Sequence, residues 1–228
     1  SQFDTAYLED LIRYNRTLLQ RNNMLKQSAQ GINIDMDMLD VYDEQLVESG
    51  YRIFDRRKSF IDDLNPVFQK YYTSISQGAE TVGLVYQSDL IERQFEISLK
   101  DTFLRDKIAQ FTTVGIHKDD LNLTLVGYPI KKLGSQGQQK TYLVALKLAQ
   151  FEFIKQVAGI KPILLLDDIF DKLDKNRVEQ IVKMVAGEQF GQIFITDTNR
   201  EHLDTILQSV TSSYNLYKVI NGEIQIIE

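Results

Sequence analysis

The sequence predicts an α/β protein carrying a helical arm, and three observations predict it. Apolar residues recur at seven-residue spacing through residues 11–67, as on a coiled-coil or helical-hairpin face. From residue 79 onward, short apolar runs alternate with amphipathic segments, the order of an α/β sheet. Between Leu133 and Asp174 a glycine-containing polar loop opens a helix, and a following apolar run ends in two adjacent carboxylates. The carboxyl ends of strands are where such sheets bind ligands. The boundary falls near residues 73–79, giving an arm at 1–78 and a head-like part at 79–228.

Composition narrows the function classes. With 228 residues, 43% of them hydrophobic, the chain can bury a sizeable core. A net charge of -6 excludes a uniformly basic nucleic-acid coat but leaves room for a local basic patch. There is no cysteine, hence no disulfide or thiolate metal site. His117 and His202 lie too far apart in sequence to suggest zinc. No run approaches the ~18–20 apolar residues of a membrane span. Ser1-Gln2-Phe3-Asp4-Thr5 is not a signal peptide. The expectation is a cytoplasmic protein with no membrane association. A start without methionine, directly in helix-like sequence, is what an excised fragment or a processed chain looks like.

Residues 3–27 read as a helix, with Leu11, Leu18 and Leu25 as one series and Leu8, Asn15 and Asn22 as another. Arg13, Arg16, Arg21 and Lys26 make the opposite face, read as solvated rather than as a DNA-contacting stripe. A break at Gln30 to Asn33 precedes a second helix from about Asp37 to Tyr72, antiparallel to the first. Leu39, Leu46, Ile53, Phe60 and Val67 keep the spacing. Gly50 and Pro66 are its weak points, with a kink or restart at Pro66. Arg56-Arg57-Lys58 is the densest basic cluster and again reads as a solvated face.

A turn at Ser76 to Gly78 leads to a strand over Glu80 to Gln87 and a helix over Asp89 to Gln110, with Ile91, Phe95, Leu99 and Phe103 spaced by four. Alternating Leu121, Leu123 and Leu125 give another strand. A helix runs from Gln138 to Ala158. Ile163 to Leu166 is a strand buried on both faces. Residues 175–187 are an amphipathic helix, Gln192 to Thr196 a short buried strand and Glu201 to Gln208 a helix. Asn221-Gly222 is a hairpin turn between Tyr214 to Ile220 and Glu223 to Ile227.

The central stretch carries chemistry. Asp167 and Asp168 end the apolar strand, and two adjacent charges there call for a cation or a proton. In nucleotide hydrolases the first carboxylate of such a pair, here Asp167, helps hold Mg²⁺, and the second, here Asp168, could polarise or position water. Two acids capping the next element would look the same. In Gly134-Ser135-Gln136-Gly137-Gln138-Gln139-Lys140, a helix start, a serine hydroxyl and an unobstructed Gly137 make an anion site. An ordinary N-cap at Ser135 would also look the same.

The combination is more specific. Ser-x-Gly-Gln opening a helix, a buried strand ending in acids, then Leu173-Asp174 resembles the signature motif, Walker B and D-loop of ABC-type ATPases, in that order. Asp197 stands where that family has its switch histidine, and Asp168 replaces the usual glutamate. Further motifs narrow the match. Tyr14-Asn15-Arg16-Thr17-Leu18 with Gln20-Arg21-Asn22, Asp43-Glu44-Gln45-Leu46, and Gly115-Ile116-His117-Lys118-Asp119-Asp120-Leu121 resemble motifs of the RecF family of bacterial recombination proteins. So does Ser135-Gln136-Gly137-Gln138-Gln139-Lys140. Ile116 replaces that family's proline. No Gly-x-x-x-x-Gly-Lys-[Ser/Thr] occurs.

The resemblance implies the C-terminal portion of a RecF-like protein, a partial ABC/SMC-like P-loop ATPase head with its arm. It implies DNA repair, recombination and replication, ATP and Mg²⁺ as cofactors, and an ATP-dependent homodimer. Duplex DNA, gap junctions, RecR and RecO are the implied partners, with RecA loading as the outcome. Ser135 and Gly137 would meet a partner's γ-phosphate, Gln138 and Lys140 would support that loop, and Asp174 would lie at the dimer interface. Without a P-loop, the chain alone is expected to be inactive. The alternatives are another SMC-like head of RecN type, which its short arm disfavours, or a non-catalytic scaffold module.

Overall fold

The computed structural model describes residues 4–78, 80–168, 171–197, 206 and 214–227. They form two compact units, residues 1–69 with 81–133 and residues 70–80 with 134–228. Residues 81–133 lie in the unit that holds most of the arm.

The first unit starts with α1 (Thr5–Ala29), capped by the Asp4 carboxylate accepting from the Tyr7 amide. After the break, α2 (Met36–Ser76) begins where Asp35 accepts from the Met38 amide. The helices are antiparallel: Asp10 pairs with Arg52 at 2.9 Å, Thr17 with Gln45 at 3.2 Å and Arg21 with Asp43 at 2.6 Å. α2 runs through Pro66 without restarting. The fully buried residues of α1 are Asp10, Tyr14, Thr17, Arg21 and Leu25; of the predicted leucine series Leu25 is buried and Leu11 and Leu18 are half-buried against the core, whereas Leu8 is exposed. Phe60 likewise leaves the buried stripe of α2, while Leu39, Leu46 and Ile53 keep it.

Two basic residues are corrected. Arg21, assigned to a solvated face, is fully buried, and Arg57 is half-buried. A guanidinium goes inside only where carboxylates and hydroxyls use its donors, and sequence spacing cannot show partners that distant.

β1 (Val82–Gln87) follows the turn at Gln77 and Gly78. Asp89–Ile91 is a separate 3-10 turn rather than the start of the helix, so Ile91 is exposed and α3 spans Phe95–Ala109. β2 (Asp120–Leu125) pairs antiparallel with β1, Leu84 opposite Leu123. β3 (Tyr128–Pro129) and α4 (Ile130–Leu133) close the unit. Its core packs Tyr14, Leu46, Ile53, Phe54, Phe95, Leu99 and Ile116 together.

The second unit holds the last turns of α2, then α5 (Gln136–Ala158), β4 (Leu164–Asp167), α6 (Lys175–Val185), β5 (Ile193–Thr196), and a hairpin of β6 (Tyr217–Ile220) and β7 (Glu223–Ile226). α6 buries Val178, Ile181, Val182 and Val185, the predicted face. β4 and β5 pair parallel, Leu165 opposite Phe194. They are buried on one face only: Leu164 and Leu166 point inward, while Leu165 and Phe194 are exposed. Among the described residues β4 has no other strand neighbour. Asn221 and Gly222 both take positive φ, the two-residue turn that matches strand twist. The predicted helix over Glu201 to Gln208 lies outside the described residues, apart from Ile206.

Candidate nucleotide site

The N-terminus of α5 is built by reciprocal capping. Ser135 Oγ accepts from the Gln138 amide at 3.2 Å, and Gln138 Oε1 accepts from the Ser135 amide at 2.7 Å. This box satisfies two amide donors and fixes the approach of the loop. Gln139 Nε2 donates to the Gly134 carbonyl at 2.8 Å, tying the loop down from its other side. The remaining first-turn amides and the helix dipole present a partial positive charge.

Gly137 is glycine for a packing reason. A Cβ there would stand 3.1 Å from the Lys172 carbonyl oxygen, so the first turn of α5 rests on the loop preceding α6. Lys172 itself has φ +68. Asp174 then caps α6: its Oδ1 accepts from the Arg177 amide at 3.0 Å, and its Oδ2 pairs with Arg177 Nε at 3.2 Å.

Asp167 ends β4 beside Thr196 of β5, whose hydroxyl donates to Asp167 Oδ1. Asp168 leaves the strand at φ +45, and its amide donates to both the carbonyl and the hydroxyl oxygen of Thr196, at 3.2 and 3.1 Å. Both carboxylates are exposed. Lys140 Nζ donates to the Asp168 carbonyl at 2.7 Å, joining α5 to the chain just past β4.

Among the described residues, no group of three or more His, Asp or Glu is placed to hold an ion unaided. Mg²⁺ fits the donor set nonetheless. It commonly takes one or two carboxylates and fills its remaining positions with water and substrate phosphates. Asp167 is the carboxylate that would hold it.

Sequence reading missed Glu80, Thr141, Arg177 and Thr196. Glu80 Oε1 accepts from Gln138 Nε2 at 2.7 Å and from Arg177 Nη2 at 3.4 Å, while Tyr72 donates its hydroxyl to Glu80 Oε2. Burial pushes the Glu80 carboxyl up. The hydrogen bonds from Tyr72 and Gln138 and the Arg177 charge outweigh it and leave the carboxyl below its usual range. An arginine three residues after an N-cap aspartate was the one available signal, and it does not predict the second partner.

The other motifs that carried the resemblance come together in the first unit, as framework. Tyr14 donates to His117 Nδ1 at 2.8 Å, and His117 Nε2 lies 3.0 Å from the Thr112 carbonyl. Arg21 Nη1 reaches both Asp106 and Thr112, and Asn22 accepts from Thr112 at 2.7 Å. Arg57 pairs with Asp119 at 2.8 Å and donates to the Ile116 carbonyl at 2.7 Å. These residues pin the segment 112–119 onto the two arm helices.

Comparison with known proteins settles the family. The chain is 52% identical over all 228 residues to DNA replication and repair protein RecF of Bacteroides fragilis, and 54% identical over 224 residues to that of Bacteroides thetaiotaomicron. This chain belongs to the RecF family. It spans 61% and 60% of the length of those two relatives. Two solved structures of the recombination mediator protein RecF in the RecFOR pathway, RecF-ATP and RecF-ATPrS, superpose with TM-scores of 0.78 and 0.77 at 28% and 30% identity. Each match covers 99% of this chain and 60% of the solved one. No family model matches. The RecF-family assignment fits the α/β architecture with long helices described above. Among the described residues, no helix is long and apolar enough to cross a membrane.

Proposed function

We propose that this chain is the C-terminal part of a RecF-type ATPase head and that it supplies the trans-acting and metal-facing half of an ATP site. One observation carries the reading. The first turn of α5 is joined to the loop after β4 through Lys140 and Asp168, and it rests on the loop before α6 through Gly137. Signature-like, carboxylate and D-loop-like segments are therefore one construction.

Each residue has a role in this reading. Ser135 and the Gly137 backbone meet the γ-phosphate held by a second copy, where a helix N-terminus favours anions. Gln138 and Lys140 hold that loop. Asp167 holds Mg²⁺, which would stabilise charge on the phosphates. Asp168 positions the attacking water. Asp174 lies at the dimer interface. The phosphate cradle must come from a P-loop, a motif the 228 residues lack. The wider role is that of the family: an ATP-dependent dimer in the cytoplasm that engages duplex DNA at gaps, works with RecR and RecO and helps load RecA.

Joined to an N-terminal P-loop segment, the protein should hydrolyse ATP slowly. Asp168→Asn should abolish that turnover; unchanged turnover in the variant would remove Asp168 from the chemistry. The chain alone should show no ATPase. Clear turnover by the pure chain, lost in Asp167→Ala, would refute the half-site.

A further inference from the structure

We propose that Glu80 and Arg177 are positioning residues. Together they form a clasp that locks the signature-like loop, the D-loop-like segment and the last turns of α2 into one body. The inference rests on the half-site reading for its catalytic consequence. The clasp itself is a property of the nucleotide-free chain.

Arg177 uses three nitrogens on three elements. Nε pairs with Asp174 at 3.2 Å, Nη1 donates to Thr141 Oγ1 at 3.0 Å, and Nη2 lies 3.4 Å from Glu80 Oε1. Thr141 in turn donates to the Gly137 carbonyl at 2.8 Å, so one guanidinium reaches from the α6 cap to the residue resting on Lys172. Glu80 does the corresponding work from the other side. Its Oε1 takes Gln138, the residue whose amide and side chain complete the capping box at Ser135. Its Oε2 takes the hydroxyl of Tyr72. Tyr72 is fully buried, and its ring meets Tyr142 of α5 edge-on at 6.0 Å.

The side chains of Glu80 and Arg177 are 15% and 17% exposed, so water screens the pair weakly. A planar guanidinium with fixed donor directions suits such a junction, and lysine cannot reproduce it. Both loops it holds are ones that face a partner's nucleotide in the half-site reading. Shifting either by about 1 Å is enough to cost a large factor in rate. The clasp therefore sets the geometry of the trans half-site and binds no phosphate itself.

The test is Arg177→Lys and Glu80→Gln, each read in two ways. In the chain as it stands, amide hydrogen exchange at Gly134–Gln139 and at Lys172–Asp174 should rise together, by about tenfold. Exchange in α1–α3 of the first unit should stay as in the parent. In the protein joined to its P-loop segment, kcat should fall by about tenfold or more while the ATP dissociation constant holds within about twofold. Glu80→Gln, which keeps the size and one of the two acceptor oxygens, should lose less than Glu80→Ala. Exchange rising in only one loop, or in neither, would overturn the clasp, as would a kcat equal to that of the parent. If the parent protein binds no ATP, the half-site reading fails and the exchange result alone still decides the clasp.

Discussion

Lys140 and Asp168 meet through a 2.7 Å hydrogen bond from the ammonium group to a main-chain carbonyl. The bond leaves the Asp168 carboxylate unused and fixes the backbone that carries it. That backbone is unusual, with φ +45 at a residue other than glycine. Aspartate and asparagine tolerate this conformation better than most residues. Asp168→Asn should therefore keep the fold and remove only the charge. In the protein joined to its P-loop segment, turnover should fall by about 10²-fold or more, the scale of a lost general base. Asp168→Ala adds backbone strain. Its lower melting temperature relative to Asp168→Asn, read by circular dichroism, separates the two effects.

Arg21 tests the framework. Its side chain and that of Asp106 have no exposure, and they meet at 2.8 Å. Asp43 lies 2.6 Å from Arg21 on its other side. Removing the guanidinium leaves a buried carboxylate without its counter-charge, which costs about 3–5 kcal/mol. Arg21→Met should shift the urea midpoint accordingly. Arg21→Met combined with Asp106→Leu should cost less than the sum of the two single variants, since the fully buried Asp106 charge is then removed together with its partner and only the part-exposed Asp43 is left unpaired.

Arg21 also marks where sequence reading stopped. The two arm helices, α5, α6 and its buried face, the β4–β5 order and the Asn221-Gly222 turn follow from periodicity and turn chemistry, which are local. The inward turn of Arg21 depends on Asp106, which is 85 residues away along the chain. The same holds for Glu80 and Arg177, 97 residues apart. Ser135 is legible as a cap because a cap is read within four residues, whereas Gln138 and Asp174 are singled out by motif resemblance alone and their capping bonds appear only in the structure. The apolar run at Ile163 to Leu166 was misjudged in one respect: it looks the same whether one face or two are covered, and here Leu165 is exposed.

His117 gives a pH signature. Burial holds its pKa below the ordinary 6.5, and the Lys118 charge adds to that, against opposing contributions from the Thr112 carbonyl, Asp119 and Asp106. Both ring nitrogens are engaged, Nδ1 by Tyr14 and Nε2 at Thr112, so the neutral ring suits the site. The folded pKa is depressed. The unfolded chain therefore binds the proton first as pH falls, and stability present above pH 6.5 is lost below it, down through the folded pKa. Denaturation midpoints taken from pH 7.5 to 5 should show this loss. His117→Gln should flatten it, and an unchanged slope in that variant would assign the acid limb to other groups.

Gly115 should be the least replaceable residue of its motif. It has φ +114, and a Cβ there would lie 2.6 Å from the Phe95 ring and 2.7 Å from the Tyr14 hydroxyl oxygen. Backbone and packing therefore object together, and Gly115→Ala should cost about 1–3 kcal/mol or more. The share of the Tyr14 hydroxyl in the crowding can be isolated. Tyr14→Phe removes the hydroxyl oxygen but not the ring of Phe95, and it also gives up the bond to His117. If crowding at the hydroxyl matters, Gly115→Ala should cost less in the Tyr14→Phe background than in the parent, by a coupling of about 0.5–1 kcal/mol in urea denaturation. Equal costs in both backgrounds would assign the penalty to the positive φ and the Phe95 ring.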